Sequence, residues 1–123
     1  MKLSQKEEHL MNYIWQFEKA YMKDLLDVYP EPKPATTTLA TLLKRLTNKG
    51  AIGFSLHGNS REYYPLIQKK DYSSSYLTNM IKIFFQGSSA RFASFFTNNI
   101  SLSREELLEL REMIDDKLND TPK

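Results

Sequence analysis

The side chains best suited to meet another molecule stand between Thr36 and Arg45. Thr36, Thr37 and Thr38 form a run, Thr41 comes a turn later, and Lys44 and Arg45 end the set. Threonine hydroxyls can bond bases or phosphates, and their methyls can pack on the thymine methyl. Lysine and arginine neutralise phosphates. Further on, Arg61 comes after a Gly58-Asn59 turn signal, where a cation can meet phosphate or a narrow minor groove. Tyr63 and Tyr64 alternate faces, so one must pack inward while the other is free for a sugar or phosphate contact. The candidate DNA contacts are therefore Thr36, Thr37, Thr38, Thr41, Lys44, Arg45, Arg61 and Tyr63. Taken alone, a threonine run more simply caps a helix, and exposed Lys or Arg more simply solvates one. The elements on either side of the run decide between these readings.

Enzyme chemistry has little to work with. The two histidines, His9 and His57, fall far apart and in different elements. With no cysteine there is no disulfide, thiolate metal site or Cys nucleophile. No Gly-rich phosphate loop, metal-ligand spacing or nucleophile motif occurs. Glu105, Glu106, Glu109, Glu112, Asp115 and Asp116 read as a solvated helix face. No catalytic residue, metal or cofactor is expected, and the chain is not read as an enzyme.

The elements that must position the threonines come in a telling order. Ser4 with Glu7 forms a capping box, and Leu10, Met11, Ile14 and Trp15 recur after it at helical spacing. A short second helix fits Met22 to Val28. Pro30, Pro32 and Pro34 then stop it and hold an extended, stiff connector. The third helix carries Leu39, Leu42, Leu43 and Leu46 at i, i+3, i+4 and i+7, a buried stripe that leaves most of the polar set off it. Lys49-Gly50 ends it. Residues 52–57 and 61–66 read as two strands of a hairpin. Three helices and then a hairpin is the order of a winged helix-turn-helix, which lays its third helix in the DNA major groove. That order favours the nucleic-acid reading. The rival is a winged-helix protein-interaction module without DNA binding.

Residues 71–75 read as a polar hinge, giving two expected domains, 1–70 for DNA and 71–123 for dimerisation. The second holds a helix from about Tyr76 to Gln86, a short helix around Phe92 to Phe96 ending in a Thr97–Asn99 turn, and a last helix opened by the Ser103/Glu106 capping box. Its apolar load is heavy for some fifty residues, which form a poor core alone. Leu77, Ile81, Phe84, Phe85, Phe92, Phe95, Phe96, Leu107, Leu110 and Ile114 are therefore assigned to a two-fold homodimer interface. Such a dimer would present two third helices to a pseudo-palindromic operator. The fold class is mainly α with a small β-hairpin wing: a winged helix-turn-helix followed by a three-helix dimerisation domain.

Charge agrees with this division. The net charge of +2 says little as a total. Residues 1–70 hold eleven Lys/Arg against seven Asp/Glu, and residues 71–123 hold six against eight. No apolar run is long enough to span a bilayer. The N-terminal residues turn acidic where a signal peptide needs an apolar core, so a cytoplasmic protein is expected.

The run Pro30-Glu31-Pro32-Lys33-Pro34-Ala35, with Thr38, Thr41, Leu42, Arg45-Leu46, Lys49-Gly50 and Arg61-Glu62-Tyr63-Tyr64-Pro65-Leu66, resembles the penicillinase-repressor (BlaI/MecI/CopY) family. Ile14-Trp15 and the stretch from Leu102 to Leu110 also match. The resemblance implies a homodimeric transcriptional repressor with base contacts at Thr37, Thr38 and Thr41 and backbone contacts at Arg45 and Arg61. It also implies a membrane sensor protease as the inducing partner. In β-lactam-responsive relatives the cleaved bond is Asn-Phe; the matching bond here is Phe95-Phe96. The copper-responsive branch senses metal through C-terminal cysteines, which this chain lacks.

Overall fold

The computed structural model describes all 123 residues. In chain order the elements are α1 (Gln5–Phe17), β1 (Ala20–Tyr21), α2 (Met22–Val28), α3 (Thr36–Asn48), β2 (Ile52–His57), β3 (Ser60–Pro65), α4 (Lys69–Phe84), α5 (Ser89–Asn99) and α6 (Arg104–Asp120). The contacts divide the chain into two compact units, Met1–Tyr76 and Leu77–Lys123.

The first unit holds the core. Both sequence-read capping boxes form: Ser4 with Glu7 opens α1, and Ser103 with Glu106 opens α6 in the second unit. From α1 come Leu10, Met11 and Ile14, from α2 Leu25, and from α3 the whole stripe of Leu39, Leu42, Leu43 and Leu46, all buried. Ile52 closes the cluster from the sheet. The end of α3 is sealed by a Schellman arrangement. Gly50, at φ 79°, donates to the Thr47 carbonyl at 3.1 Å, and Ala51 donates to Leu46 at 3.0 Å.

The sheet is antiparallel in the order β1-β3-β2. The hairpin aligns Phe54 with Tyr63 and Leu56 with Arg61. β1, two residues long and without a readable period, exists because Ala20 pairs with Tyr63 and Tyr21 with Glu62.

Two expectations are corrected. Residues 71–75 are not a hinge; they are helical, inside α4. The reason is tertiary. The Tyr72 hydroxyl donates to Glu8 Oε2 at 2.6 Å, and its ring lies 6.1 Å from that of Trp15. Burial and the bond to Glu8 push the Tyr72 phenol up to about 12, so it stays a neutral donor. Trp15 in turn donates to the Ile67 carbonyl at 2.8 Å. Thr97–Asn99 is not a turn either: the Thr97 hydroxyl and the Asn99 amide bond back to Ala93 and Phe95, and α5 continues through them.

The second unit has no buried residue in any of its helices. Its rings do gather: Phe85 lies 5.7 Å from Phe92 and 5.4 Å from Phe95, and Phe92 stacks on Phe96 at 6.0 Å. No helix of the chain is long and apolar enough to cross a membrane.

An ion pair ties the start of α1 to the end of α3. Glu7, 2% exposed, accepts from Lys49 Nζ at 2.7 Å and from the Ser4 backbone at 2.8 Å, while its other oxygen is buried without a partner. Lys49 also donates to the Lys2 carbonyl at 3.1 Å. Burial pushes the Glu7 carboxyl up, but the bonds from Lys49 and Ser4 and the Lys49 charge together hold it below its ordinary value.

Leu43→Ala should lower unfolding free energy by about 2–5 kcal/mol in urea melts; a loss under about 1 kcal/mol would mean that α3 is not anchored by this stripe. Because the folded pKa of Glu7 is depressed, its contribution is present above the ordinary value of 4.5 and is lost as pH falls through the folded value. Wild type should therefore lose stability on acidification more steeply than Glu7→Gln, and parallel curves would refute the assignment.

Candidate nucleic-acid interface

Burying the leucine stripe fixes the rotation of α3 and so decides which side chains face outward. Thr37, Thr41, Lys44 and Asn48 recur at i, i+4, i+7 and i+11 along the side opposite the leucines, and all four are exposed. Thr36, Thr38 and Arg45 are exposed beside them. Neither Lys44 nor Arg45 belongs to an ion pair. The threonines do not cap the helix: the N-cap is Ala35, which makes no side-chain cap bond, and all three lie in the first turn. The first backbone N–H groups of α3 thus have no side-chain acceptor, and a helix start of this kind favours a nearby anion.

Thr41 has a defined chemical character. Its hydroxyl donates to the Thr37 carbonyl at 2.9 Å. The donor is therefore used, leaving oxygen lone pairs and a methyl group. Such a side chain can accept from an exocyclic amine or pack on a thymine methyl.

In the hairpin, Arg61 is exposed, with its guanidinium 4.4 Å from the centre of the Phe54 ring. This contact steadies the cation without neutralising it. Tyr63, in contrast, is 7% exposed and packs in the core, its ring 5.9 Å from Phe54. The pairing with Ala20 and Phe54 turns it inward, so of the expected DNA contacts it is the one that is buried. The partly exposed ring is Tyr64, which lies across Gly53; a Cβ there would come within 2.9 Å of the Tyr64 hydroxyl.

Two side chains outside the expected set share this surface. Asn48, off the leucine stripe, has the helical phase of Thr37, Thr41 and Lys44, a signal the sequence contains. Lys23 has no such signal. It sits at the start of α2 and is brought to the wing because β1 pairs with β3. There it shares with Tyr21, Asn59, Ser60 and Arg61 a groove of about 540 Å³. Asp24 also lines this groove, its carboxylate accepting from the Tyr21 backbone at 3.0 Å.

The histidines stay apart from any acid–base arrangement. His9 stacks on Tyr29 at 5.6 Å and hydrogen-bonds the Tyr13 hydroxyl at 3.1 Å. His57 lies 3.2 Å from Glu62 in the wing.

Of the assigned interface residues in the second unit, Leu77, Phe84, Phe95, Leu107 and Ile114 are exposed, Phe84 by 70%. Ile81, Phe85, Phe92, Phe96 and Leu110 are half-buried. The phenylalanines, with Met80 and Ile100, surround an apolar hollow of about 580 Å³. Phe95-Phe96 lies inside α5.

The pattern described as penicillinase repressor matches residues 3–116. The methicillin resistance regulatory protein MecI of Staphylococcus aureus is 26% identical over 117 residues, covering 94% of this chain and 95% of that protein. The penicillinase repressor of Bacillus licheniformis is 25% identical over 119 residues, covering 96% and 93%. The solved DNA-binding domain of the repressor BlaI superposes with a TM-score of 0.52 at 26% identity, over 58% of this chain and 88% of that domain. A match running from before α1 into α6, with a first unit of winged-helix form, places this chain in the penicillinase repressor family, whose members are transcriptional repressors and not enzymes.

Proposed function

We propose that the chain acts as a homodimeric repressor that reads a pseudo-palindromic DNA operator. α3 enters the major groove and the β2–β3 hairpin meets the flanking backbone or minor groove. The observation that carries this reading is the exposed strip of Thr37, Thr41, Lys44 and Asn48, set directly opposite the buried leucines. Thr37, Thr38, Thr41 and Asn48 meet base edges. Thr36 and the open N–H groups of the first turn, with Lys44, Arg45 and Arg61, meet phosphates.

Dimerisation is carried by the second unit, Leu77–Lys123. A stretch that folds into three helices and buries no residue leaves its apolar side chains to a second copy, and the hollow among the phenylalanines supports this. The reading unit is residues 1–70 together with the first turns of α4, which pack on α1 through Tyr72. A cytoplasmic location suits such a reader. A membrane sensor protease stays in this reading as the inducing partner, but Phe95-Phe96, inside α5, lacks the asparagine of the relatives' cleaved Asn-Phe bond and is not assigned as the cut.

Role assignments separate in binding titrations. Arg45→Gln should weaken binding to all duplexes and reduce the salt slope by about 0.9, the value for one neutralised phosphate. Thr41→Ala should alter which sequence is preferred and leave the slope unchanged. The same sequence-independent loss in both would overturn the assignment, and no DNA retention at low salt would overturn the function. Light scattering should give twice the 14.4 kDa of one chain. Phe84→Asp, at a side chain already exposed in the single chain, should return it to one chain mass with the fold intact; a wild type that is monomeric at micromolar concentration contradicts the dimer.

A further inference from the structure

The connector between α2 and α3 poses a capping problem. A helix end leaves its last carbonyls without intrahelical donors, and the next residues usually supply backbone N–H groups to them. Here Pro30, Pro32 and Pro34 occupy alternate positions and have no N–H to give. The C-cap, Tyr29, is extended at ψ 139°, so the chain leaves α2 without a left-handed capping turn. The Lys33 backbone N–H turns to the Glu31 carboxylate at 3.4 Å. The prolines that stiffen the connector therefore also remove the donor from every second position.

The Lys33 side chain supplies them. Its ammonium donates to the Leu26 carbonyl at 3.3 Å, to Asp27 at 2.9 Å and to Tyr29 at 2.7 Å. Three N–H bonds are all that an ammonium has, and a cation at this end is favoured by the helix dipole. Below the connector the packing is open: Tyr29, Pro32 and Pro34, with Gln5, Lys6, His9, Thr38 and Leu42, line a hollow of about 340 Å³. Beyond the connector, α3 starts at Thr36, and its N-cap Ala35 gives no side-chain cap. Lys33 is thus the polar tie that sets how the chain enters α3.

We infer that Lys33 is a positioning residue for operator recognition, holding the first turn of α3 in register by capping α2, and not a phosphate contact. The inference rests on the DNA-reading role proposed for α3. It separates Lys33 from Lys44 and Arg45, which a count of positive charge treats alike.

The salt dependence of binding tells the two roles apart, because only a phosphate contact releases counterions. The probe is a duplex enriched from a random-sequence pool by the wild-type dimer, with an unrelated duplex of equal length beside it. Lys33→Gln should bind the enriched duplex roughly tenfold more weakly, at an unchanged salt slope, and bind the unrelated duplex as wild type does. Lys33→Arg should recover part of the loss. Without DNA, Lys33→Gln should speed amide hydrogen exchange across residues 36–39, whereas Lys44→Gln should not.

A Lys33→Gln slope lowered by about 0.9, with equal loss on both duplexes, overturns the inference while leaving the repressor reading intact. Unchanged affinity and unchanged exchange overturn it too. A pool from which nothing is enriched overturns the repressor reading and this inference together.

Discussion

What α3 offers to a partner depends on the burial of Leu39, Leu42, Leu43 and Leu46 along its other side. A helix with one apolar stripe has one stable rotation against its core, and that rotation chooses the opposite side chains. Thr37, Thr41, Lys44 and Asn48 are presented because the leucines are hidden. α1 and α2 exist to receive that stripe. The Glu7–Lys49 pair and the Schellman turn at Gly50 then fix the far end of the helix, and the connector fixes the near end.

Positive charge looks different once placed. The basic balance of residues 1–70 suggested a surface made for phosphate. Lys49 is spent on a buried carboxylate and Lys33 on three carbonyls, so both act inward. Of the nine others, Lys44 and Arg45 face outward from α3, and Lys23 and Arg61 from either side of the wing groove. The cations around α3 divide into those that hold it and those that extend its reach, and net charge cannot separate the two.

Local patterns were legible and long-range ones were not. The capping boxes at Ser4 and Ser103, the leucine stripe and the hairpin turn depend on neighbours within a few residues, and each stands in the structure as read. β1 was invisible because two residues have no period; it depends on Tyr63, far along the chain. The first turns of α4 looked like a hinge because Ser73, Ser74 and Ser75 are polar, yet Tyr72 finds Glu8 and Trp15 across the fold. Tyr63 and Tyr64 alternate by the strand rule, but which one turns inward depends on what covers the sheet. The same limit hid Lys23, which only strand pairing brings to Arg61.

The central claim is that α3 reads bases from the major groove, once in each half of a two-fold dimer. Methylation interference tests it directly, since a methyl at guanine N7 blocks the major groove and one at adenine N3 blocks the minor groove. On the duplex enriched by the wild-type protein, the account predicts guanine N7 interference in two clusters about one or two helical turns apart. Interference in a single cluster, or confined to adenine N3, would contradict it.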